Sequence, residues 1–188
     1  MIPCRYMDSR VLEVISEDDQ VLGLEERTKI HQEGLLHRET HVWFYTPQGE
    51  VIFQHRSKDK DTYPDLLDAT VGGHVEPNDT YLQTAIKEAK EETGILVPEH
   101  ELHFLKKIKM RSFDEVTKKI NYAFKTQYAY CYKGSINDLQ IENGKGAGFE
   151  EWLIDSILKL SDAEKRKFVP VIFEPEFIEV FEAIKKLL

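Results

Sequence analysis

The chain has 188 residues, 41% of them hydrophobic and 31% charged, and a formal net charge of −9. Such a length and composition fit one globular domain with a sizeable core, and the whole span 1–188 is taken as a single domain. The acidity excludes a general binder of nucleic-acid polymers, which needs a basic face against phosphates, and it leaves an anionic substrate dependent on local cations or on a metal.

Arg10 to Ile15 alternates enough for a strand, Ser16–Gln20 is a polar turn, and Val21–Leu24 closes a β-hairpin near the start. Residues 25–34 suit a short helix stopped by Gly34. His41–Tyr45 and Glu50–Arg56 flank a turn marked by Pro47 and Gly49, giving two antiparallel strands. A polar loop, residues 57–64, then precedes a strand over 66–71.

Past Val71 the chain meets Gly72-Gly73 and a turn containing Pro77 and Asn78. A helix follows, with Asn78 or Asp79 as N-cap and Gly94 as its left-handed stop. Inside it, Glu88, Glu91 and Glu92 stand at i, i+3 and i+4, which predicts three carboxylates on one face. A solvated acidic face is one reading of that cluster. A cation site is the other, and oxygen ligands suit Mg²⁺ or Mn²⁺.

Residues 102–113 and 122–132 predict a long hairpin around Asp114-Glu115. Tyr122, Phe124, Thr126, Tyr128, Tyr130 and Tyr132 alternate, so they form one face that is either core or a surface for stacking a nucleobase. Ser135–Gly148 reads as a glycine-rich loop, Glu150–Ile154 as a short strand, and Asp155–Arg166 as a helix broken at Ser161-Asp162. A C-terminal helix over 174–188 carries Phe177, Val180, Phe181, Ile184 and Leu188 as an apolar stripe for the core or for a homodimer contact. Cys4 and Cys131 lie far apart and are expected to be free thiols. No apolar run reaches the ~18 residues of a membrane span, and the first residues lack the apolar segment of a signal peptide. The cytoplasm is the expected location, with no membrane partner.

The stretch from Gly73 to Ile95 resembles the Nudix box, G-x5-E-x7-R-E-U-x-E-E-x-G-U with U aliphatic. Asp79 falls on the first acid, Lys87 on the Arg, Glu88 on the next Glu, Ala89 on U, Glu91-Glu92 on the pair, and Gly94-Ile95 on the close. The departures are Asp79 for Glu and Lys87 for Arg. The resemblance implies an α+β fold, an α/β/α sandwich with a mixed β-sheet between helices. It implies a hydrolase that cleaves a diphosphate linked to another group, with Mg²⁺ or Mn²⁺ as cofactor and a small-molecule diphosphate as partner. Glu88, Glu92 and the Gly73 carbonyl are then metal ligands, and Glu91 is a further ligand or the residue that orients water. Lys87 stands where an Arg anchors the box. Glu91, Glu92 and Lys87 are thus the implied catalytic group, while Arg56 is a candidate for substrate phosphate.

A longer span, Val11 through Trp152, is similar to the Nudix branch related to isopentenyl-diphosphate isomerase. The similarity rests on residues 34–38, His41-Val42-Trp43, residues 56–64 and Gly73-His74-Val75. By that resemblance His37 and His74 are candidate metal ligands. Where the isomerase has a Cys before its Gly-His pair, this chain has Gly72, which has no side-chain proton to give. Where a late accessory Glu is expected the count reaches Gly146, with Glu142 before it and Glu150-Glu151 after. The functional readings are a diphosphate hydrolase, an isomerase-like enzyme, or a non-catalytic ligand-binding protein on the same scaffold.

Overall fold

The computed structural model describes residues 10–188 except 61, 143 and 145. Cys4 therefore lies outside the described residues. The first hairpin forms as expected, β1 (Val11–Ile15) against β2 (Val21–Glu26). Helix α1 (Arg27–Glu33) ends at Gly34, whose φ of 67° needs a residue without a Cβ penalty.

The main sheet holds β3 (His37–Tyr45), β4 (Glu50–Arg56), β5 (Leu67–Asp68), β6 (Val71–His74), β7 (His103–Asp114), β8 (Lys119–Cys131) and β9 (Gly146–Leu153). β3 lies parallel to β8 along its whole length, and the other pairings are antiparallel. β9 begins earlier than the sequence suggests, because Gly146 and Gly148 continue its ladder against Arg56 and His55 of β4. The expected strand over 66–71 divides into β5 and β6 instead.

That division opens a fork. β3 and β4 pair only at Phe44 with Ile52 and Tyr45 with Val51; beyond this point β4 pairs with β5 and β3 with β6. Thr70 fills the crotch, accepting the Phe44 N–H at 2.9 Å and donating its hydroxyl to the Ile52 carbonyl.

Strand alternation sends Val42, Phe44 and Ile52 to one side, where they pack with Ala85 and Ala89 of α2 (Tyr81–Thr93). Trp43, Tyr45, Val51 and Phe53 face the other side and pack against α5 (Pro175–Lys185). The sheet thus lies between two helical layers. Phe177, Val180, Phe181 and Ile184 of α5 are buried in that core, whereas Leu188 is 58% exposed and outside the stripe. Between β9 and α5 the broken helix is two short ones, α3 (Ile154–Ile157) and α4 (Asp162–Lys165).

The C-terminal part of the tyrosine face of β8 is core: Tyr128 and Tyr132 are buried on the α2 side, with Tyr130 and Phe44 in ring contact, while Tyr122 and Phe124 are half-buried and outside that cluster. No helix among the described residues is long and apolar enough to cross a membrane.

Candidate active site

Helix α2 starts at Thr80 rather than at Asn78 or Asp79. Asn78 adopts φ 71° to close the preceding turn, and Thr80 and Gln83 satisfy each other's backbone amides in a reciprocal cap. Gly94 ends the helix with φ 75°, as its position predicts. The helix delivers two of its three clustered carboxylates to a cavity: Glu88 and Glu92 are 8% and 2% exposed and line it. Glu91 is exposed and lies outside the lining, as does Lys87, which pairs with Glu76 at 2.6 Å on the surface. The predicted single face is therefore divided between cavity and solvent.

Glu92 sits in the fork. Its Oε2 accepts the Gly72 N–H at 3.1 Å and Gln54 Nε2 at 3.3 Å. Glu88 occupies the space that a side chain at Gly73 would take, because a Cβ there would lie 2.4 Å from the Glu88 carboxyl carbon. The missing side chain is what lets the carboxylate reach the strand.

A nitrogen-rich cluster faces this acidic wall. His31 of α1, His37 of β3 and His74 of β6 bring one ring nitrogen each to within 4.8 Å of one another. His31 and His37 contact the carbonyls of Ile120 and Leu35 through Nδ1 at 3.1 and 3.0 Å. A carbonyl only accepts, so both Nδ1 atoms carry the proton and the Nε2 atoms face inward, that of His37 lying 3.4 Å from a Glu39 oxygen. Histidines that hold metals are oriented in this way. His31 Nε2 lies 3.0 Å from His74 Nε2, which also meets Glu39 at 3.2 Å. Burial lowers His31 to about 4, with His37 adding to the effect, and pushes His74 well below its ordinary value against the pull of Glu39. Glu39 itself is buried, which alone would raise its pKa. Ion pairing with Lys125 outweighs that, and the carboxyl is held well below the usual range.

Sequence reasoning finds His37 and His74 but misses His31, Glu39, Asp68 and Lys125. His31 is on a different element and enters because α1 packs beside Ile120 of β8. Lys125 has the opposite strand parity to the tyrosines, so the face that attracts attention hides it. The candidate accessory acids Glu142, Glu150 and Glu151 are not in the lining. Glu39 and Asp68 are the carboxylates that join Glu88 and Glu92.

Arg56 does line the cavity, but its guanidinium is engaged by protein. It meets Asp68 at 2.8 Å and donates to the carbonyls of Thr62 and Tyr63 at 2.7 to 3.2 Å. Its visible role is to hold the loop over 57–66, where Tyr63 and Asp65 both have positive φ. That loop contributes Lys60, Thr62 and Tyr63 to the cavity wall.

The sequence profile of the NUDIX domain matches residues 35–173. An uncharacterized Nudix hydrolase of Clostridium acetobutylicum, CA_C0446, is 27% identical over 159 residues, covering 83% of this chain and 76% of its own. Further curated relatives, also Nudix hydrolases, are matched over only about half of their length. Among solved structures, DR0079 from Deinococcus radiodurans shares the fold with a TM-score of 0.69 at 20% identity, over 92% of this chain and 98% of its own. The NUDIX domain of Shewanella oneidensis NrtR, solved with ADP ribose, gives a TM-score of 0.56 at 15% identity, over 81% of this chain and 87% of its own.

Proposed function

The chain belongs to the NUDIX family, and from that membership we propose that it hydrolyses a diphosphate bond in a nucleotide or related small metabolite with the help of Mg²⁺ or Mn²⁺. The observation that carries this reading is the burial of Glu88 and Glu92 against Gly72 and Gly73 at the wall of one cavity. Two carboxylates and a backbone carbonyl are a hard oxygen set, which suits these ions. A divalent ion held there supplies charge neutralisation of the diphosphate and activation of water. Glu88, Glu92 and the Gly73 carbonyl are the proposed ligands. Glu91, at the solvent side of the same turn, is left as a contributor from the rim, and Lys87 steadies the turn through Glu76. Lys60 adds positive charge to the cavity wall for phosphate oxygens, while Lys125 is paired with Glu39.

Glu92→Gln tests the proposal, because Gln keeps an oxygen that can accept the Gly72 N–H while removing the charge. A phosphate-release screen should span nucleoside di- and triphosphates, dinucleotides, nucleotide sugars and ADP-ribose, the last included because the NrtR domain was solved with it. With Mg²⁺ the wild type should turn over at least one substrate, and the variant should lose roughly a hundredfold or more of that rate. A variant as fast as the wild type would reject the assignment.

The His31–His37–His74 cluster favours a second reading, an isomerase related to isopentenyl-diphosphate isomerase. Three imidazoles beside Glu39 suit a transition-metal ion better than Mg²⁺. Gly72 weighs against it, since that position supplies no acid for carbon protonation. Appearance of the dimethylallyl isomer from isopentenyl diphosphate would decide for this reading.

A further inference from the structure

Building on the metal reading above, we propose that Asp19, in the turn of the N-terminal hairpin, is a positioning residue for the site: it holds the helix that carries Glu88 in place against the strand that carries Gly73.

Among the described residues the hairpin pairs with no strand of the main sheet. Its turn reaches the body of the protein all the same. Asp19 takes φ 60°, a left-handed conformation that Asp tolerates better than most side chains. Its carboxylate there meets three different elements. It accepts Arg38 Nε of β3 at 2.6 Å, the Tyr81 hydroxyl of α2 at 3.1 and 3.2 Å, and the Lys107 ammonium of β7. The Asp19 carbonyl accepts Arg38 Nη2 at 2.5 Å as well. Burial works to raise the Asp19 carboxyl, but the bonds from Lys107 and Arg38 outweigh it and hold the group below its usual range.

Two of these bonds lead to the box. Tyr81 opens α2, and Tyr81, Glu88 and Glu92 stand at i, i+7 and i+11, so the three side chains share one stripe of the helix. Holding Tyr81 therefore fixes the rotation of that stripe about the helix axis. Lys107 and Arg38 also lie 5.2 and 5.8 Å from the centre of its ring. Arg38 secures the other side of the box: its carbonyl accepts the Val75 N–H at 3.0 Å, and its Nη1 binds Glu13 at 2.8 Å. Glu13 in turn accepts the Asn78 N–H at 3.2 Å. The connection from Gly73 to α2 is thus tied at Val75, Asn78 and Tyr81, and Arg38 and Asp19 join those ties. Placement matters here because Glu88 fills the space beside Gly73, which leaves no slack for a helix that turns or slides. Glu17 lies in the same hairpin turn but bonds elsewhere, to the Tyr122 hydroxyl at 2.6 Å and to Lys109. It fastens the hairpin to β7 and β8, away from the box, and so supplies a control.

The test is calorimetric titration of the metal-free protein with Mg²⁺, beside a thermal melt of each variant. Glu88→Gln checks the site itself and should bind more weakly. If it binds Mg²⁺ as tightly as wild type, or if wild type binds none, the metal reading and the role of Asp19 fail together. Asp19→Gly removes the carboxylate while leaving φ 60° unstrained, and should weaken Mg²⁺ binding roughly tenfold to a hundredfold. Asp19→Asn keeps an acceptor, tolerates the same φ, and should recover most of that loss. Tyr81→Phe keeps the ring without its hydroxyl and should weaken binding by roughly threefold or more. Glu17→Ala should lower the melting temperature with no change in affinity. Wild-type affinity in both Asp19→Gly and Tyr81→Phe would overturn the role of Asp19 while the metal reading stands. An equal loss in Glu17→Ala and Asp19→Gly would overturn it too, since docking of the whole hairpin would then be the cause. Should Asp19→Gly not fold, Tyr81→Phe measured against Glu17→Ala decides.

Discussion

Gly73 acts through what it lacks. Glu88 fills the volume its side chain would need, so Gly73→Ala must displace the carboxylate, and the flexible Glu88 side chain can yield without unfolding the strand. The expected outcome is a loss of roughly tenfold to a hundredfold in Mg²⁺ affinity, with little change in melting temperature of the metal-free protein. Calorimetric titration beside a thermal melt would check both halves. The buried histidines make a second residue-level prediction. Burial first, helped by Lys125 for His41 and by His37 for His31, lowers each to about 4 from 6.5. Between those values the unfolded chain binds more protons than the folded one, so stability increases with pH across this window and is lost as pH falls from about 6.5 toward 4. The limiting loss is on the order of 3 kcal/mol per histidine. Urea unfolding of metal-stripped protein at pH 7.5 and pH 5 should show the drop, and a flat profile would contradict it. The box glutamates were legible in the sequence because one helix carries them at fixed spacing. Glu39 was not, because nothing local says that β3 begins as early as His37 or that its odd positions face the cavity at that end.

At the scale of elements, α2 and its glycine stop followed from periodicity and capping chemistry, while the separation of β5 from β6 did not. It depends on Thr70 bonding both Phe44 and Ile52, a tertiary contact with no trace in residues 66–71 themselves. The loop over 57–66 is similar: a polar run predicts a loop but not that Arg56 binds it at one end while Asp114 accepts the Tyr63 N–H at 2.8 Å from another hairpin. This arrangement predicts the energetics of the Arg56–Asp68 pair. Arg56→Met should cost roughly 2 kcal/mol, less than a fully buried pair because both side chains keep some exposure. Much of the cost comes from an uncompensated Asp68, so adding Asp68→Asn should recover part of it. A double-mutant cycle by chemical denaturation reads the coupling, and strict additivity would argue against it.

For the molecule as a whole, net acidity coexists with a cavity to which Lys60 and Lys125 contribute, so charge is sorted by position rather than by total. The layered core was legible in outline, since the α5 stripe and strand alternation both point inward. The C-terminal stripe is taken up by the sheet and so serves the core rather than the homodimer contact that was its alternative. The fork has the widest consequence. Where β3 and β4 part, a glutamate takes over a duty that a neighbouring strand would otherwise perform, holding the Gly72 amide. If the same oxygen atoms also grip a cation, then loading the ion and keeping the seam shut become one equilibrium. Deuterium uptake at Gly72 should slow as magnesium is added, by an amount that tracks saturation. Cargo and scaffold would then be fastened by a shared clasp.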